Sequence, residues 1–307
     1  MVRPIFFGYS ESVRGHSHLT TGLPCQDSSA YALRDNYAIS VVSDGHGSAP
    51  HFRSEIGSRM AVASAIAVID GYMTEQKTLF DNLRINKEAI LSKIAKSIIA
   101  QWVTMVDEYD SEHPLTNDEL ELISRNNIKI EDKYKRYGAT LVAGVIFEEG
   151  FFGFQIGDGS LVILDENLRP TQPIPKDELC VFNYTTSICS SDAFDHFNCE
   201  FIDGKSVVAI LTATDGFTTS FVSEESFYKQ CSKIIGFLNN GGEWKSVVDN
   251  LEKRSSGNTE DDVSLSVIFI PGNYILATEC IKDQKMNRKI MKSVGYRPRK
   301  GKRNRRK

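Results

Sequence analysis

The sequence predicts an α+β fold built in layers, and three observations support this prediction. Short strand-like segments come first, long helical stretches follow, and strands return before further helices and a last strand. This order lacks the regular alternation of strand and helix that is typical of a doubly wound parallel sheet. With 307 residues, 41% of them hydrophobic, the chain has enough apolar material for one large domain or two small ones.

The N-terminal third predicts strands followed by two helices. Residues 5–9, 29–33 and 37–42 form strand-like segments bounded by turn-forming residues. The third of these is apolar on both faces, as expected of a central strand. From Ser54 onward the apolar residues recur with helical spacing, and a second long helix is predicted over residues 80–106.

The middle of the chain predicts a surface insertion followed by an antiparallel meander. Residues 107–136 are polar and highly charged, which favours an insertion on the surface. Three apolar runs follow at 138–147, 151–156 and 160–164, separated only by Glu-Glu-Gly and Gly-Asp-Gly. Such linkers are typical of hairpins, so we expect consecutive antiparallel strands, with Asp158 shaping the second turn rather than binding a metal.

The C-terminal half predicts an irregular segment and then a second group of strands and helices. Residues 170–204 combine prolines, polar residues and scattered aromatics without a clear period, which indicates a flap-like segment. A buried strand is predicted at 207–213, helices at 223–238 and 243–254, and a last strand at 263–270.

Charge and cysteine usage narrow the class of protein. The formal net charge is −4, but residues 281–307 hold thirteen Lys or Arg against one acid, so the rest of the chain is strongly acidic. An acidic body suits a surface that gathers divalent cations. The N-terminal apolar run is too short for a signal peptide, no run approaches ~18 apolar residues, and the six cysteines include no C-x-x-C pair. We therefore expect a cytoplasmic protein with reduced thiols that does not span a membrane.

The most informative pattern is an apolar strand that ends in an aspartate followed by a glycine. It occurs at Asp44-Gly45 and again at Asp215-Gly216. A carboxylate followed by an accessible carbonyl is a suitable donor set for a hard cation such as Mg²⁺ or Mn²⁺. An ordinary Asp-Gly turn would explain one occurrence, but two in the same arrangement favour a cation site.

Further carboxylates lie at the ends of other predicted strands. Asp27 stands just before the second strand, and the adjacent pair Asp261 and Asp262 stands just before the last one. Carboxylates gathered at one place repel one another unless cations neutralise them. The sequence therefore predicts that these aspartates, far apart along the chain, meet at a cation site.

Taken together, these motifs resemble the type 2C metal-dependent serine/threonine protein phosphatases, and more closely the compact bacterial branch of that family. Six segments match in order, namely GLPCQD (22–27), SDGHG (43–47), YGATL (137–141), IGDGS (156–160), TDGF (214–217) and NTEDDVS (258–264). The resemblance implies a four-layer α-β-β-α sandwich of two antiparallel sheets flanked by helices. We expect this domain to extend over residues 1–272.

The resemblance also implies roles for individual residues. It implies a pair of divalent cations, Mn²⁺ or Mg²⁺, held by Asp44, Gly45, Asp215 and Asp261. Asp44 would bridge the pair, and a water or hydroxide shared between the cations would attack the phosphorus. Asp27 would orient that water, and His46 would protonate the departing serine or threonine oxygen. A merely solvated side chain is the alternative for His46.

Two positions depart from the family pattern. Some members carry an arginine that grips the substrate phosphate where this chain has Gly22. Arg14, His16 and His18 are candidates to replace it, although a solvated polar loop explains them equally well. Some members also hold a third metal through an aspartate at the position of Lys135, so we expect two cations here and no such third site.

The predicted function is a metal-dependent phosphatase of phosphoserine and phosphothreonine proteins, acting in signalling opposite a cognate kinase. The alternative is a catalytically weak or inactive protein of the same fold that binds or scaffolds phosphorylated partners. The retained carboxylates argue against this alternative, because a binding module has no need to gather that much negative charge.

The basic C-terminal extension, residues 273–307, is expected to be partly helical or disordered and could contact an acidic partner. Tyr296 is the only aromatic residue within 281–307, so no base-stacking motif accompanies the charge. Nucleic acid is therefore not expected to be the main partner.

Overall fold

Two antiparallel five-stranded sheets form the centre of the molecule. The structure is a computed structural model, and it describes residues 5–129, 131–180, 184–204 and 206–272. The strands are β1 (Phe7–Val13), β2 (Ser28–Leu33), β3 (Tyr37–Ser43), β4 (Leu141–Phe147), β5 (Gly150–Ile156), β6 (Ser160–Leu164), β7 (Pro170–Thr171), β8 (Asn198–Asp203), β9 (Ala209–Ala213) and β10 (Val263–Phe269). The first sheet has the order β1-β10-β9-β6-β7, and the second has the order β2-β3-β4-β5-β8. The predicted basic extension lies outside the described residues.

Helices cover the outer face of each sheet. The helices of the described residues are α1 (His16–Thr21), α2 (Ser54–Met73), α3 (Gln76–Ile85), α4 (Lys87–Glu112), α5 (Asn117–Arg125), α6 (Asp215–Thr218), α7 (Glu224–Asn239) and α8 (Trp244–Arg254), and α2, α3, α4, α7 and α8 provide this cover. One apolar core joins α2, α3 and α4 to the second sheet, and another joins α7 and α8 to the first. A third core fills the space between the sheets. The predicted α+β sandwich of four layers is confirmed.

The helix predicted over residues 80–106 is in fact two helices. α3 ends at Ile85, and Asn86 leaves the helical conformation with φ −152°. The Asn86 side chain then accepts a hydrogen bond from the Ala89 N–H and so caps α4. By length and composition α4 could also cross a membrane. One face of it, including Ile98 and Trp102, is however buried in the core shared with α2.

Strict alternation along β3 explains how both of its faces are buried. Tyr37, Ile39 and Val41 belong to the core beneath the helices, whereas Ala38 and Val42 belong to the core between the sheets. All seven residues of β3 are buried. The predicted central strand is confirmed, and it carries the chain directly to Asp44.

A buried hydroxyl cluster, consisting of Ser40, Thr212 and Ser266, crosses the interface between the two sheets. The hydroxyls of Thr212 on β9 and Ser40 on β3 lie 2.9 Å apart, and Ser40 donates to Ser266 on β10 at 2.9 Å. Ser266 in turn donates to the Ala30 carbonyl at 2.9 Å. Every hydroxyl in the cluster has a partner, so the cost of burying these polar groups is offset.

The predicted hairpin between β5 and β6 is wrong. β4 and β5 do form a hairpin, but β5 pairs next with β8, and β6 pairs with β9 and β7 in the other sheet. The segment 157–159 therefore carries the chain from one sheet to the other. Gly157 has φ +99°, and a Cβ on Gly159 would lie 2.8 Å from the Ala213 carbonyl oxygen. Asp158 is thereby brought to the end of β9 instead of shaping a hairpin.

The range 107–136 begins within α4, contains α5, and ends in a 3-10 turn at Tyr134–Tyr137. Arg53, at the start of α2 and only 6% exposed, connects these parts. Its guanidinium binds both carboxylate oxygens of Glu119 on α5, at 2.7 and 2.9 Å. It also donates to the Tyr137 hydroxyl at 2.7 Å and to Asp110 of α4 at 3.3 Å. We call these four residues the Arg53 network.

The range 170–204 contains more regular structure than its sequence indicates. It includes β7, a 3-10 turn at Ala193–His196, and β8. β8 pairs with β5 at the edge of the second sheet, and five of its six residues are only half-buried. An edge strand of this kind shows no alternation of polar and apolar residues, which is why the sequence did not reveal it.

Candidate metal centre

An open cleft of about 1070 Å³ lies at the end of the sandwich where β3 and β9 finish. The residues of this cleft include Asp44, Asp158, Asp215 and Asp261. One wall is formed by the loop after β3, and another by residues 184–192. The cleft is therefore where the two sheets place their acidic strand ends.

Three aspartates form the closest group of carboxylates in the described part of the chain. Asp44, Asp158 and Asp215 each offer an oxygen, and these oxygens all lie within 4.8 Å of one another. We call this group the carboxylate triad. Asp44 and Asp158 follow strands of the second sheet, and Asp215 follows a strand of the first. The triad thus exists only because the two sheets pack together.

Asp44 is fixed by backbone contacts on both sides. Its N–H donates to Thr140 Oγ1 at 3.0 Å, and the Thr140 N–H donates to the Asp44 carbonyl at 2.8 Å. Gly45 pairs with Ala139, and a Cβ on Gly45 would lie 2.5 Å from the Gln26 carbonyl oxygen. Only glycine fits at that position. The Gly45 carbonyl remains a predicted metal ligand.

Asp215 is fixed by the close packing of α6 against the start of β10. A Cβ on Gly216 would lie 2.0 Å from the Asp262 carbonyl oxygen, so this position also requires glycine. Just before it, Thr214 Oγ1 accepts from the Ser264 N–H at 3.0 Å and donates to Asp27 at 2.8 Å. The turn after β9 is thereby locked to β10 and to Asp27.

The remaining predicted aspartates have different positions. Asp27 is 7% exposed and lies behind the triad, outside the set of described residues that line the cleft. Asp261 lines the cleft, and its carboxylate accepts from the Asp262 N–H at 2.8 Å. Asp262 accepts from the Gly15 N–H at 2.6 Å and lies 3.0 Å from His18 Nδ1. Asp262 therefore ties neighbouring loops together, and its place beside the ligands rather than among them stays a prediction.

Burial and mutual repulsion both disfavour the charged forms of these carboxyl groups. Burial raises the pKa of Asp44 well above its usual range, and the charges of Asp27 and Asp215 raise it further. Burial, and then the charge of Asp262, raise the pKa of Asp27 in the same way. Burial and the charge of Asp158 raise the pKa of Asp215 to about 6. A bound cation would relieve this repulsion.

Two orphaned oxygens show that the residues present fit a cation. Asp158 Oδ1 and Gln26 Oε1 are buried and have no hydrogen-bond partner among the described residues. Both side chains line the cleft. The second Asp158 oxygen accepts from Thr185 Oγ1 at 2.8 Å, which leaves Oδ1 available to a ligand. Carboxylate and amide oxygens are the donors that Mg²⁺ and Mn²⁺ prefer.

Asp158 is the residue that sequence reasoning missed. The signal was present, because Asp158-Gly159 is a third Asp-Gly pair at a strand end, like Asp44-Gly45 and Asp215-Gly216. A hairpin provided a sufficient local explanation, so the third pair was not grouped with the other two. The structure brings an oxygen of Asp158 within 4.8 Å of oxygens of Asp44 and Asp215, whereas the predicted ligand Asp261 is not part of this group.

His46 lies in the wall of the cleft, and its ring centroid is 4.8 Å from that of His51. Burial lowers the pKa of His46 to about 4. The imidazole is therefore neutral near pH 7, whereas a general acid must carry the proton that it gives away. The role of His46 as a general acid stays a prediction, and it requires a bound anion to raise this pKa.

The three candidates for gripping phosphate are not equivalent in the structure. Arg14 donates to the His18 carbonyl at 2.9 Å, and the His18 ring contacts Asp262. His16 is exposed and does not belong to the cleft lining. Of these three candidates, only His18 lines the cleft. Lys135, which was not among the candidates, also lines it.

Replacing Asp215 by asparagine is expected to stabilise the metal-free protein at neutral pH. In the folded wild type the pKa of Asp215 is raised from 3.8 to about 6, so the native state holds this proton more tightly than the unfolded chain. The wild type therefore loses stability as pH rises from about 4 to about 6, and the variant does not. We expect the advantage of Asp215→Asn to grow over that window to about 3 kcal/mol.

Urea denaturation in EDTA at a series of pH values measures this difference. Repeating the series with Mn²⁺ should reverse the order, because a cation that binds only the native state stabilises the wild type more. A stability difference that does not change with pH would contradict the prediction.

Comparison with known proteins agrees with the fold and the acidic cleft described above. A family model described as protein phosphatase 2C matches residues 14–252. No curated protein sequence matches the chain. The family model covers well over half of the chain, so it bears on the fold and the cleft together.

Solved structures with the same fold include three proteins at low sequence identity. The serine/threonine phosphatase Stp1 from Staphylococcus aureus has a TM-score of 0.53 at 16% identity, over 88% of this chain and 96% of that chain. PppA from Pseudomonas aeruginosa has a TM-score of 0.53 at 14% identity, over 86% and 97%. The catalytic domain of the serine/threonine protein phosphatase PstP, in complex with two manganese ions, has a TM-score of 0.51 at 14% identity, over 86% and 97%. These likenesses establish the architecture.

Proposed function

Because the chain belongs to the protein phosphatase 2C family and is a protein serine/threonine phosphatase, we propose that it hydrolyses phosphoserine and phosphothreonine in proteins with two divalent cations, Mn²⁺ or Mg²⁺. The observation that carries this proposal is the carboxylate triad of Asp44, Asp158 and Asp215 in an open cleft. The similar PstP domain, which holds two manganese ions, supports the choice of metal.

The residues that would hold the cations are Asp44, Asp158, Asp215 and Asp261, with the Gly45 carbonyl. When bound, the cations would lower the pKa of a shared water that attacks the phosphorus and would offset charge on the phosphoryl oxygens. Backbone contacts hold Asp44 at the end of β3, where its carboxylate meets those of Asp158 and Asp215. We therefore propose that Asp44 would be one of the residues that hold the cations.

The chain's own groups would complete the reaction. Asp27, which accepts a hydrogen bond from Thr214 at 2.8 Å, would hold the turn before Asp215 in place and would orient the attacking water. His46 would receive a proton when the dianionic phosphate enters the cleft and raises its pKa. It would then deliver this proton to the departing serine or threonine oxygen.

Hydrolysis of a phosphoserine peptide and of p-nitrophenyl phosphate tests the proposal. Protein freed of metal with EDTA should be inactive, and Mn²⁺ or Mg²⁺ should restore turnover of both substrates. Turnover that persists without any divalent cation would contradict the proposal. Binding of the phosphopeptide without turnover in either metal would instead favour the inactive scaffold. No observation in the cleft favours that alternative.

A cellular setting follows from this proposal. A phosphoprotein phosphatase implies a kinase that supplies its substrate, and we propose a cognate serine/threonine kinase in cytoplasmic signalling. The basic extension, residues 273–307, is proposed to contact an acidic partner, because its charge opposes that of the rest of the chain.

A further inference from the structure

The cleft offers the phosphoryl group of a substrate few cationic partners. The position at which some family members carry a phosphate-gripping arginine is Gly22. Arg14 is bonded to the His18 carbonyl, and the His18 ring contacts Asp262. We propose that Lys135 supplies the missing phosphate-binding group, an inference that rests on the function proposed above.

The cationic side chains of the cleft lining support this assignment. Lys133 and Lys135 are the lysines that line it among the described residues. The Lys133 ammonium forms an ion pair with Asp107 and lies 5.0 Å from the centre of the Tyr134 ring. Lys135 is exposed and has no carboxylate within 4.0 Å in the part of the chain that the structure describes. Its charge is therefore available to a ligand, whereas that of Lys133 is already neutralised.

Lys135 lies next to the loop after β3 that carries Asp44 and His46. It lies in the 3-10 turn that ends at Gly138, and the Gly138 N–H donates to the Lys135 carbonyl at 3.1 Å. The Gly138 carbonyl accepts from the His46 N–H, also at 3.1 Å. Two consecutive backbone hydrogen bonds thus connect the turn that carries Lys135 to the loop that carries Asp44 and His46.

Lys135 lines the same cleft as His51 and Cys189, one residue from each wall. Burial lowers the pKa of His51 to about 4, and the charges of His46 and Lys135 lower it further. Burial raises the pKa of the Cys189 thiol, and Lys135 opposes that rise. His51 belongs to the wall after β3, and Cys189 belongs to the wall formed by 184–192. Lys135 therefore shares the cleft with residues of both walls.

The chemistry of an ammonium group suits this role. Lys135 occupies the position at which some family members place a carboxylate for a third cation. A lysine there places positive charge in the cleft directly, without a third metal. It has three N–H donors, and a phosphate ester offers anionic oxygens that accept charge-assisted hydrogen bonds. The same contact would hold inorganic phosphate, the product of the reaction.

The test compares Lys135→Ala and Lys135→Arg with the matched control Lys133→Ala. Calorimetry with inorganic phosphate on the Mn²⁺-loaded proteins gives Kd, and hydrolysis of a phosphoserine peptide gives KM and kcat. Lys135→Ala should weaken phosphate binding and raise KM by about tenfold, as expected for the loss of a hydrogen bond to a charged group. Lys135→Arg should stay within about threefold of wild type, because it keeps the charge. Lys133→Ala should change neither constant by more than about twofold.

Phosphate affinity of Lys135→Ala equal to that of the wild type would overturn the inference. An equal loss in Lys133→Ala would also overturn it, because the effect would then be general charge rather than a contact. Lys135 is exposed, so its variants should keep the wild-type unfolding temperature. If the wild type shows no metal-dependent turnover, the proposed function fails, and phosphate calorimetry still decides the role of Lys135.

Discussion

Replacement of Asp44 by asparagine is expected to lower kcat for a phosphoserine peptide by about 10³-fold, since a lost cation removes several kcal/mol of transition-state stabilisation. Asparagine keeps the shape of the side chain and its contacts with Thr140 through the backbone. It removes the negative charge that the cations need. Steady-state assays with saturating Mn²⁺ measure the effect.

The control for this variant is Asp118→Asn, which changes an exposed aspartate of α5 outside the cleft. It should retain wild-type activity. Thermal unfolding of both variants shows whether the fold is intact, and metal-free Asp44→Asn should be at least as stable as the wild type because a repelled, buried charge is gone. Activity of Asp44→Asn within tenfold of wild type would contradict the role of Asp44 in holding the cations.

Replacement of Arg53 by methionine is expected to destabilise the protein by about 3 kcal/mol, because it leaves charged partners without compensation in a largely buried place. Arg53 is 6% exposed and binds Glu119 through two hydrogen bonds. Methionine fills similar volume, so the loss reports the charge and its hydrogen bonds rather than a cavity. The expected result is a lower free energy of unfolding in urea.

Arg59→Met provides the matched comparison for Arg53→Met. Arg59 lies on the same helix, is exposed, and forms an i,i+4 ion pair with Glu55. Exposed pairs of this kind contribute about 0.3–0.5 kcal/mol. Similar losses in the two variants would show that the Arg53 network contributes no more than an ordinary surface pair.

The layered fold was predictable because its strands and helices carry their patterns locally. β3 is apolar on both faces, and α2 repeats its apolar residues with helical spacing, so each could be assigned without knowledge of its partners. Pairing between strands is different. The segment Gly157-Asp158-Gly159 has the composition of a hairpin turn, yet it connects two sheets. Whether a short glycine-rich link turns back or crosses over depends on the partners of β5 and β6, and these lie far away in sequence.

The part of the candidate site that lies directly at the ends of buried strands was predictable from the sequence. Asp44 and Asp215 each end a buried strand and precede a glycine, and the structure places both in the cleft. Asp27 instead precedes a strand and is not followed by glycine, and it lies behind the triad. Burial depth is a property of the packed sheets, so the sequence could not rank Asp27 against the others. The availability of Lys135 is equally non-local, because it depends on Asp107 pairing with Lys133.

The hydroxyl cluster between the sheets limits how far one sheet can slide along the other. Ser40 lies four residues before Asp44 on β3, and Thr212 lies three residues before Asp215 on β9. One residue of slip along a strand displaces its end by about 3.3 Å, which is most of the 4.8 Å span of the triad oxygens. Apolar side chains of similar size resist such a slip only weakly, whereas a directional hydrogen bond is lost at once. The buried hydroxyl cluster therefore helps to fix the spacing of the carboxylates from inside the sandwich, away from the open cleft.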